Sequence, residues 1–304
     1  ESGYDLESLA WRLRSIVGEE NVRVDEPMSE HTTFKVGGPA DIYVIPDDAD
    51  EVHDVLEECK SAAAPYFILG YGSDLLVSDA GYRGVIVAIA DGMSGVTVED
   101  NEITCQAGVG LREASEMACE LDLTGLEFAC GIPGTLGGAI VMNAGAYGGE
   151  MSQVLSEVKV LCPDGSIKWK KKCELELGYR KSNILENKEI VLAARLKLTY
   201  GDREKIKATV IDLNNRRKEK QPLEYPSAGS TFKRPEGYFA GKLIDDAGLR
   251  GFKLGGAAVS QKHCGFVINY DNASSEDIKS LIKHVKDVVY EKFGVKLECE
   301  VRMI

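Results

Sequence analysis

Leu6, Leu9, Leu13 and Val17 recur at the spacing that places apolar side chains on one helix face, so the chain is predicted to open with an amphipathic helix. Asp41–Pro46 reads as a strand, a helix follows over about Ala49 to Ala63, and two compact apolar runs, Tyr66–Leu69 and Gly84–Ile89, are bounded by glycines. Short runs with a helix between them describe a small mixed α/β unit. A second unit begins near Gly92. Val96 and Val98 alternate into an Asp100-Asn101 turn and Ile103 and Cys105 return from it, which is a hairpin pattern. A helix from about Leu111 to Leu121 precedes a glycine-rich stretch. Val158, Val160 and Cys162 then alternate toward Pro163, Asp164 and Gly165, with Ile167 and Trp169 beyond, which predicts a second hairpin. Ile190–Tyr200 is a further strand. After Gly201 the pattern changes. Ile206, Val210 and Leu213 form one stripe on a helix over Asp202–Arg217, whose basic end continues to Lys220 and is halted by Pro222. Ser274 and Asp277 resemble a capping box ahead of Ile278, Leu281, Ile282, Val285 and Val289, the buried face of the last helix. This divides the chain into an N-terminal helical segment (1–24), a central region (25–200, with parts at about 25–90 and 91–200) and an α+β unit over 201–304.

The 304 residues carry 36 Lys and Arg against 49 Asp and Glu, a net charge of −13, which repels nucleic acid and anionic membrane surfaces. An anionic ligand must therefore be held by local groups working against that field. No apolar run reaches the ~18 residues of a membrane-spanning helix, and no signal peptide is recognisable. The 8 cysteines are scattered, with no CxxC and no Cys/His zinc spacing. Most stand in apolar or strand-like surroundings, where a free thiol behaves as a small hydrophobe, and this predicts a reducing, cytoplasmic setting without a bound metal.

Two loops remain once the elements are placed. Gly70–Asp74 follows the Tyr66–Leu69 strand directly, and Gly131–Gly149 carries seven glycines in nineteen positions. Glycines let backbone N–H groups approach a diphosphate closely and donate without adding net charge, which suits a chain at −13. For the short loop alone, tight turning is sufficient reason. In the long one, seven glycines cost too much chain entropy to be filler. Neither is a GxGxxG fingerprint, and no GxxxxGK[ST] is present, so a dinucleotide would be bound by another fold.

Six separated motifs, in order along the chain, carry a resemblance: His31–Ala40 (HTTFKVGGPA), Gly70–Leu76 (GYGSDLL), Gly131–Glu150, Leu177–Ser182 (LGYRKS), Ala228–Pro235 (AGSTFKRP) and Leu297–Arg302 (LECEVR). Together they resemble the UDP-N-acetylenolpyruvoylglucosamine reductase family. The resemblance implies an α+β fold: an FAD-binding domain of the p-cresol methylhydroxylase/vanillyl-alcohol oxidase type, in two α+β subdomains, plus a C-terminal α+β substrate-binding domain. It implies an NADPH-dependent flavoenzyme that reduces UDP-N-acetylglucosamine enolpyruvate to UDP-N-acetylmuramate in bacterial peptidoglycan synthesis. NADPH reduces FAD and leaves; the flavin then passes a hydride to the enolpyruvyl methylene carbon.

Hydride addition leaves negative charge over the neighbouring carbon and its carboxylate, so a cation and an acid are required. By resemblance Arg180 polarises the carboxylate, Ser230 protonates the carbon, and Glu300 assists both. Glu298 shares one side of a strand with Glu300 by period-two alternation, so alignment and not pattern separates the two. The resemblance further implies that non-covalent FAD is held by Gly70, Tyr71, Gly72, Ser73, Asp74 and Leu75, by Gly108, and by Gly131, Ile132, Pro133, Gly134, Gly137, Gly138, Ala139, Asn143 and Ala144, with Arg217 at the diphosphate. Lys220, Lys233, Lys262 and His263 fall to the substrate, the last two at its uridine nucleotide. The expected partners are NADPH and the enolpyruvyl nucleotide, with no nucleic acid and no membrane, and a monomer is favoured.

Three positions depart from the family pattern. Asp74 replaces a usual Asn, Cys299 stands where Pro is common, and only 50 residues separate Arg180 from Ser230, as in the shorter branch typical of Gram-positive bacteria, which lacks a substrate-covering insertion. Two other readings compete. An FAD-dependent alcohol or lactone oxidase often tethers flavin through a histidine in the first loop, but none of His31, His53, His263 and His284 lies within Gly70–Asp79. A non-catalytic nucleotide-binding protein would have no use for Arg180, Ser230 and Glu300 together.

Overall fold

The opening helix, α1 (Leu6–Val17), is capped by Asp5, whose carboxylate accepts the Ser8 N–H at 3.0 Å. Its buried side chains, Leu9, Ala10, Leu13 and Val17, share a core with Val52, Val55, Leu56 and Cys59 of α2 (Ala49–Ser61). α2 stops two residues short of the expected end. Ala63 adopts φ +54° there, and Ala64 and Ala63 donate back to the carbonyls of Cys59 and Lys60. This is a left-handed helix cap of the kind glycine usually supplies, and an alanine gives no such signal in the sequence.

The computed structural model describes residues 3–304 and divides into two units. The first comprises the chain up to Val24, Ile42–Gly70 and Gly84–Arg217. A four-stranded sheet, three of whose strands cross the limits of this unit, has the order Val22–Pro27, Pro39–Val44, Tyr82–Ala88 and Tyr66–Leu69, the last two parallel. Val22–Pro27 escapes the hydrophobic pattern because it is largely exposed. A five-stranded sheet within the unit is antiparallel, in the order Ile167–Lys171, Leu155–Leu161, Ile190–Lys197, Glu102–Gln106 and Val96–Glu99. Both expected hairpins are present in it. α3 (Leu111–Glu120) ends one residue before the expected limit.

α4 (Leu136–Val141) was hidden by the glycines around it. With two glycines in six residues it has little intrinsic tendency to form. Thr135 caps it, and it packs on the strands Ile190–Lys197 and Glu102–Gln106. α5 (Arg203–Lys220) starts at Asp202, whose Oδ1 accepts the N–H groups of Glu204 and Lys205 at 3.0 and 3.1 Å. It runs three residues past Arg217 and ends before Pro222, whose ring pushes the preceding residue out of helical geometry. Of its expected apolar stripe only Ile206 is fully buried; Val210 and Leu213 are half-buried, and Asn214 and Arg217 extend the same face.

The second unit comprises Asp25–Asp41, Tyr71–Arg83 and Lys218–Ile304. Its core joins Phe34, Val36 and Leu76 to α6 (Ala240–Asp246) and α7 (Ser275–Phe293). The capping box at Ser274 and Asp277 is formed, and Gly294 closes α7 at φ +68°. Asp79 adds a second cap, accepting the N–H groups of Ser275 at 2.7 Å and Glu276 at 3.1 Å. Such a bond is worth about 1 kcal/mol. A three-stranded antiparallel sheet (Lys253–Leu254, Ala257–Val259, Val267–Asn269) completes the unit, and Arg302–Met303 pairs in parallel with Leu75–Leu76. Among the described residues no helix is long and apolar enough to cross a membrane. All eight cysteines are free thiols, and burial pushes those of Cys59 and Cys105 up to about 12, which leaves them inert.

Candidate active site

In the first unit the long glycine stretch folds back on residues 107–111. Leu111 N donates to Gly134 O (2.9 Å), Leu136 N to Val109 O (2.8 Å) and Gly137 N to Ala107 O (2.9 Å). Gly134 N and Ala144 N are also engaged, by Ile132 O and Ala139 O. Most of these N–H groups therefore serve the protein itself. Among the described residues, those of Gly131 and Thr135 have no protein acceptor. Arg217 packs directly on Gly131: a Cβ there would lie 2.9 Å from its Nη1 and 3.0 Å from its Cδ. A Cβ at Gly70 would likewise press on the Thr135 side chain.

Arg217 reaches this loop from α5, whose Asn214 and Val210 also face Cys130. Burial pushes its guanidinium below the usual arginine range, and Tyr147 lies within its electrostatic reach. An anion placed beside it regains favourable interaction for a cation that has lost water. Glycine backbone that tolerates close approach, N–H groups left to donate and a partly desolvated arginine are a donor set suited to the diphosphate of FAD. Tyr71–Leu75 belong to the second unit. There Gly72 adopts φ +61°, with the His31 carbonyl where a Cβ would stand, and its own carbonyl accepts the Thr33 N–H at 3.0 Å.

Arg180 occupies the tip of a tight turn in the first unit. Gly178 and Lys181 exchange backbone hydrogen bonds of 3.0 and 3.2 Å across it, and Arg180 itself takes φ +51°. A non-glycine residue in that region is strained by roughly 1–2 kcal/mol, a cost that surrounding contacts must sustain. Its Nη2 donates to Gly145 O at 3.2 Å, and its guanidinium carbon stands 5.3 Å from the centre of the Tyr179 ring.

In the second unit the segments that carry Ser230 and Glu300 are joined by the backbone of Thr231, a residue that the sequence left unmarked. Thr231 is wholly buried, its N–H donates to Gly265 O (2.8 Å), its hydroxyl accepts Val267 N–H (2.9 Å) and its carbonyl accepts Glu300 N–H (2.8 Å). Ser230, next in the chain, is exposed. The two glutamates are now distinct. Glu298 is exposed and pairs with Lys233 at 3.5 Å, whereas Glu300 is half-buried.

The remaining expected substrate contacts are placed differently. Lys220 is exposed. Lys262 donates to Lys218 O at 2.6 Å, satisfying one of the last carbonyls of α5. His263 Nδ1 accepts the Gly265 N–H at 3.0 Å while the His263 backbone N–H donates to Ser260 Oγ at 3.1 Å, and the ring leans on Phe266 at 4.8 Å. Burial holds its imidazole below the ordinary 6.5. The unfolded chain thus takes up this proton at higher pH than the folded one, so stability falls as pH drops from 6.5 toward the folded value. His263→Asn, whose Oδ1 can accept the Gly265 N–H, should flatten that slope. The loss of Tm between about pH 7.5 and about pH 5.5 should shrink in the variant; an unchanged loss would show that another group titrates.

Thr135, Asn214, Tyr147 and Thr231 were missed by sequence reasoning. Only Thr135, standing directly before a short apolar run, had a cap-like signal.

Similarity to known proteins agrees with this layout. A family model for an FAD binding domain matches residues 40–170, and one for the C-terminal domain of UDP-N-acetylenolpyruvoylglucosamine reductase matches residues 221–304. A relative from Clostridium perfringens (strain SM101 / Type A), named UDP-N-acetylenolpyruvoylglucosamine reductase, is 51% identical over 292 residues, 96% of each chain. The chain belongs to the UDP-N-acetylenolpyruvoylglucosamine reductase family. A second such reductase, from Clostridium kluyveri (strain NBRC 12016), is 50% identical over 299 residues, 98% of each chain. The crystal structure of the reductase from Thermus caldophilus superposes with a TM-score of 0.79 at 34% identity, covering 93% of this chain and 99% of that one. p-Cresol methylhydroxylase, at 14% identity and a TM-score of 0.50 over 98% of this chain and 66% of its own, shares the fold alone. As a member of the reductase family the chain is an FAD-dependent oxidoreductase, with an α+β fold and the FAD-binding domain expected above.

Proposed function

We propose that the protein reduces the enolpyruvyl ether of UDP-N-acetylglucosamine to the lactyl ether of UDP-N-acetylmuramate, with NADPH as reductant, in cytoplasmic peptidoglycan synthesis. The observation that carries this reading is the Thr231 arrangement, which joins the segment of an exposed serine to that of a half-buried glutamate in a chain of this family. When bound, FAD would supply hydride chemistry, with NADPH as the source of the hydride that the methylene carbon receives. Arg180 holds the enolpyruvyl carboxylate and stabilises the charge that develops on it, a task suited to a fixed planar cation. The Ser230 hydroxyl donates its proton to the adjacent carbon, and Glu300 helps to stabilise the enolate-like species. Gly70–Leu75, Gly108, the Gly131–Ala144 loop and Arg217 seat FAD without covalent attachment. Lys220, Lys233, Lys262 and His263 serve the substrate, the last two at its uridine nucleotide. Residues 25–200 act as the FAD-binding region, 201–304 as the substrate region, and the protein works as a monomer.

Purified protein should be yellow, release its flavin on denaturation, and oxidise NADPH steadily only when the enolpyruvyl nucleotide is present. Colourless protein that takes up no FAD would end the proposal. Flavin that stays with precipitated protein would favour an alcohol oxidase.

A further inference from the structure

We propose that Asn143 and Ser182 are positioning residues that clamp the Arg180 turn to the end of α4; this rests on the role given to Arg180 above. Asn143 follows α4 in the left-handed region, at φ +44°, and with Ala144 closes the helix by bonds to Ile140 O (3.2 Å) and Ala139 O (2.8 Å). Glycine would serve that backbone at least as well, so the cap alone does not explain an asparagine. Its side chain is 1% exposed and its amide is engaged at both ends. Nδ2 donates to Gly178 O at 3.0 Å, and Oδ1 accepts the Ser152 N–H at 2.9 Å. A carbonyl can only accept and a backbone N–H can only donate, so the amide has one orientation.

Gly178 is one leg of the Arg180 turn. The other leg is held by Ser182, 7% exposed, whose hydroxyl donates to Val141 O at 2.8 Å, the last residue of α4. Arg180 completes the docking through its own bond to Gly145 O. Three bonds from the segment 141–145 thus hold a turn whose tip is in an unfavourable conformation. Such a conformation persists where its surroundings over-determine it. The side-chain amide of this asparagine, which the resemblance places at the cofactor, is spent on Gly178 and Ser152, so what it can offer FAD is its backbone.

Asn143→Gly keeps the left-handed backbone and removes the amide. In the FAD-loaded enzyme it should lower kcat for the enolpyruvyl nucleotide by about 10²-fold, the scale of a 1 Å misplacement. FAD affinity, read by flavin fluorescence on the apoprotein, should stay within about threefold, since the side chain is spent on the protein. In an Arg180→Ala background it should add nothing, because the clamp acts only through Arg180. Ser182→Ala should show the same three results and carries the test should Asn143→Gly not fold. An unchanged kcat, full additivity with Arg180→Ala, or loss of FAD affinity with normal kcat at saturation would overturn the clamp. If Arg180→Ala itself leaves turnover intact, the role of Arg180 falls and the clamp falls with it.

Discussion

Arg180→Ala is expected to lower kcat for the enolpyruvyl nucleotide by about 10²- to 10³-fold, the usual effect of removing one preorganised group that stabilises developing negative charge. Hydride addition to the methylene carbon places a charge on the next carbon and its carboxylate that is absent from the ground state. A cation already aimed there lowers the barrier more than it tightens substrate binding, so KM should move less than kcat. Arg180→Lys should recover little, because a flexible ammonium replaces neither the planar fork nor the bond to Gly145 O. Arg180→Gly separates structure from chemistry. It relieves the φ of +51° and should stabilise the fold by up to about 1 kcal/mol in urea melts while losing the same activity. A stable, yellow Arg180→Gly enzyme with wild-type kcat would remove Arg180 from the mechanism.

What the chain revealed before its structure depended on how local the determinants were. α1, α7 and both hairpins were legible because their apolar spacing, caps and turn residues lie within a few positions of one another. α4 was not, because a helix of six residues with two glycines exists only where strands distant in sequence support it. Composition marks the glycine stretch as a candidate site, yet which N–H groups remain to donate depends on its pairing with residues 107–111. Arg180, Ser230 and Glu300 are singled out only by resemblance, since a lone arginine in a turn or serine after a glycine has no periodic signature. Alternation put Glu298 and Glu300 on a par, and their different exposure separates them. Thr231 carried no signal at all, because its three bonds reach residues 34 to 69 positions away.

Ser230→Ala is expected to stop turnover, by about 10²- to 10⁴-fold, while NADPH still bleaches the flavin absorbance at close to the wild-type rate. The substitution is structurally mild. Ser230 is exposed, and the backbone beside it is fixed from behind by buried Thr231, so losing the hydroxyl oxygen opens no cavity. A loss confined to turnover, with flavin reduction intact, therefore reports on proton donation. A hydroxyl is a poor acid in water, and it serves only where the acceptor is as basic as the carbon next to the polarised carboxylate. That is why Ser230 and Arg180 should respond differently. Arg180 variants lose stabilisation of the charge, whereas Ser230→Ala leaves the charge stabilised without its proton. Ser230→Cys, a stronger acid of similar shape, should retain more activity than Ser230→Ala if proton delivery limits the variants. Should both half-reactions fall equally in Ser230→Ala, the serine would be part of the scaffold, and the proton would have to come from Glu300 or from water.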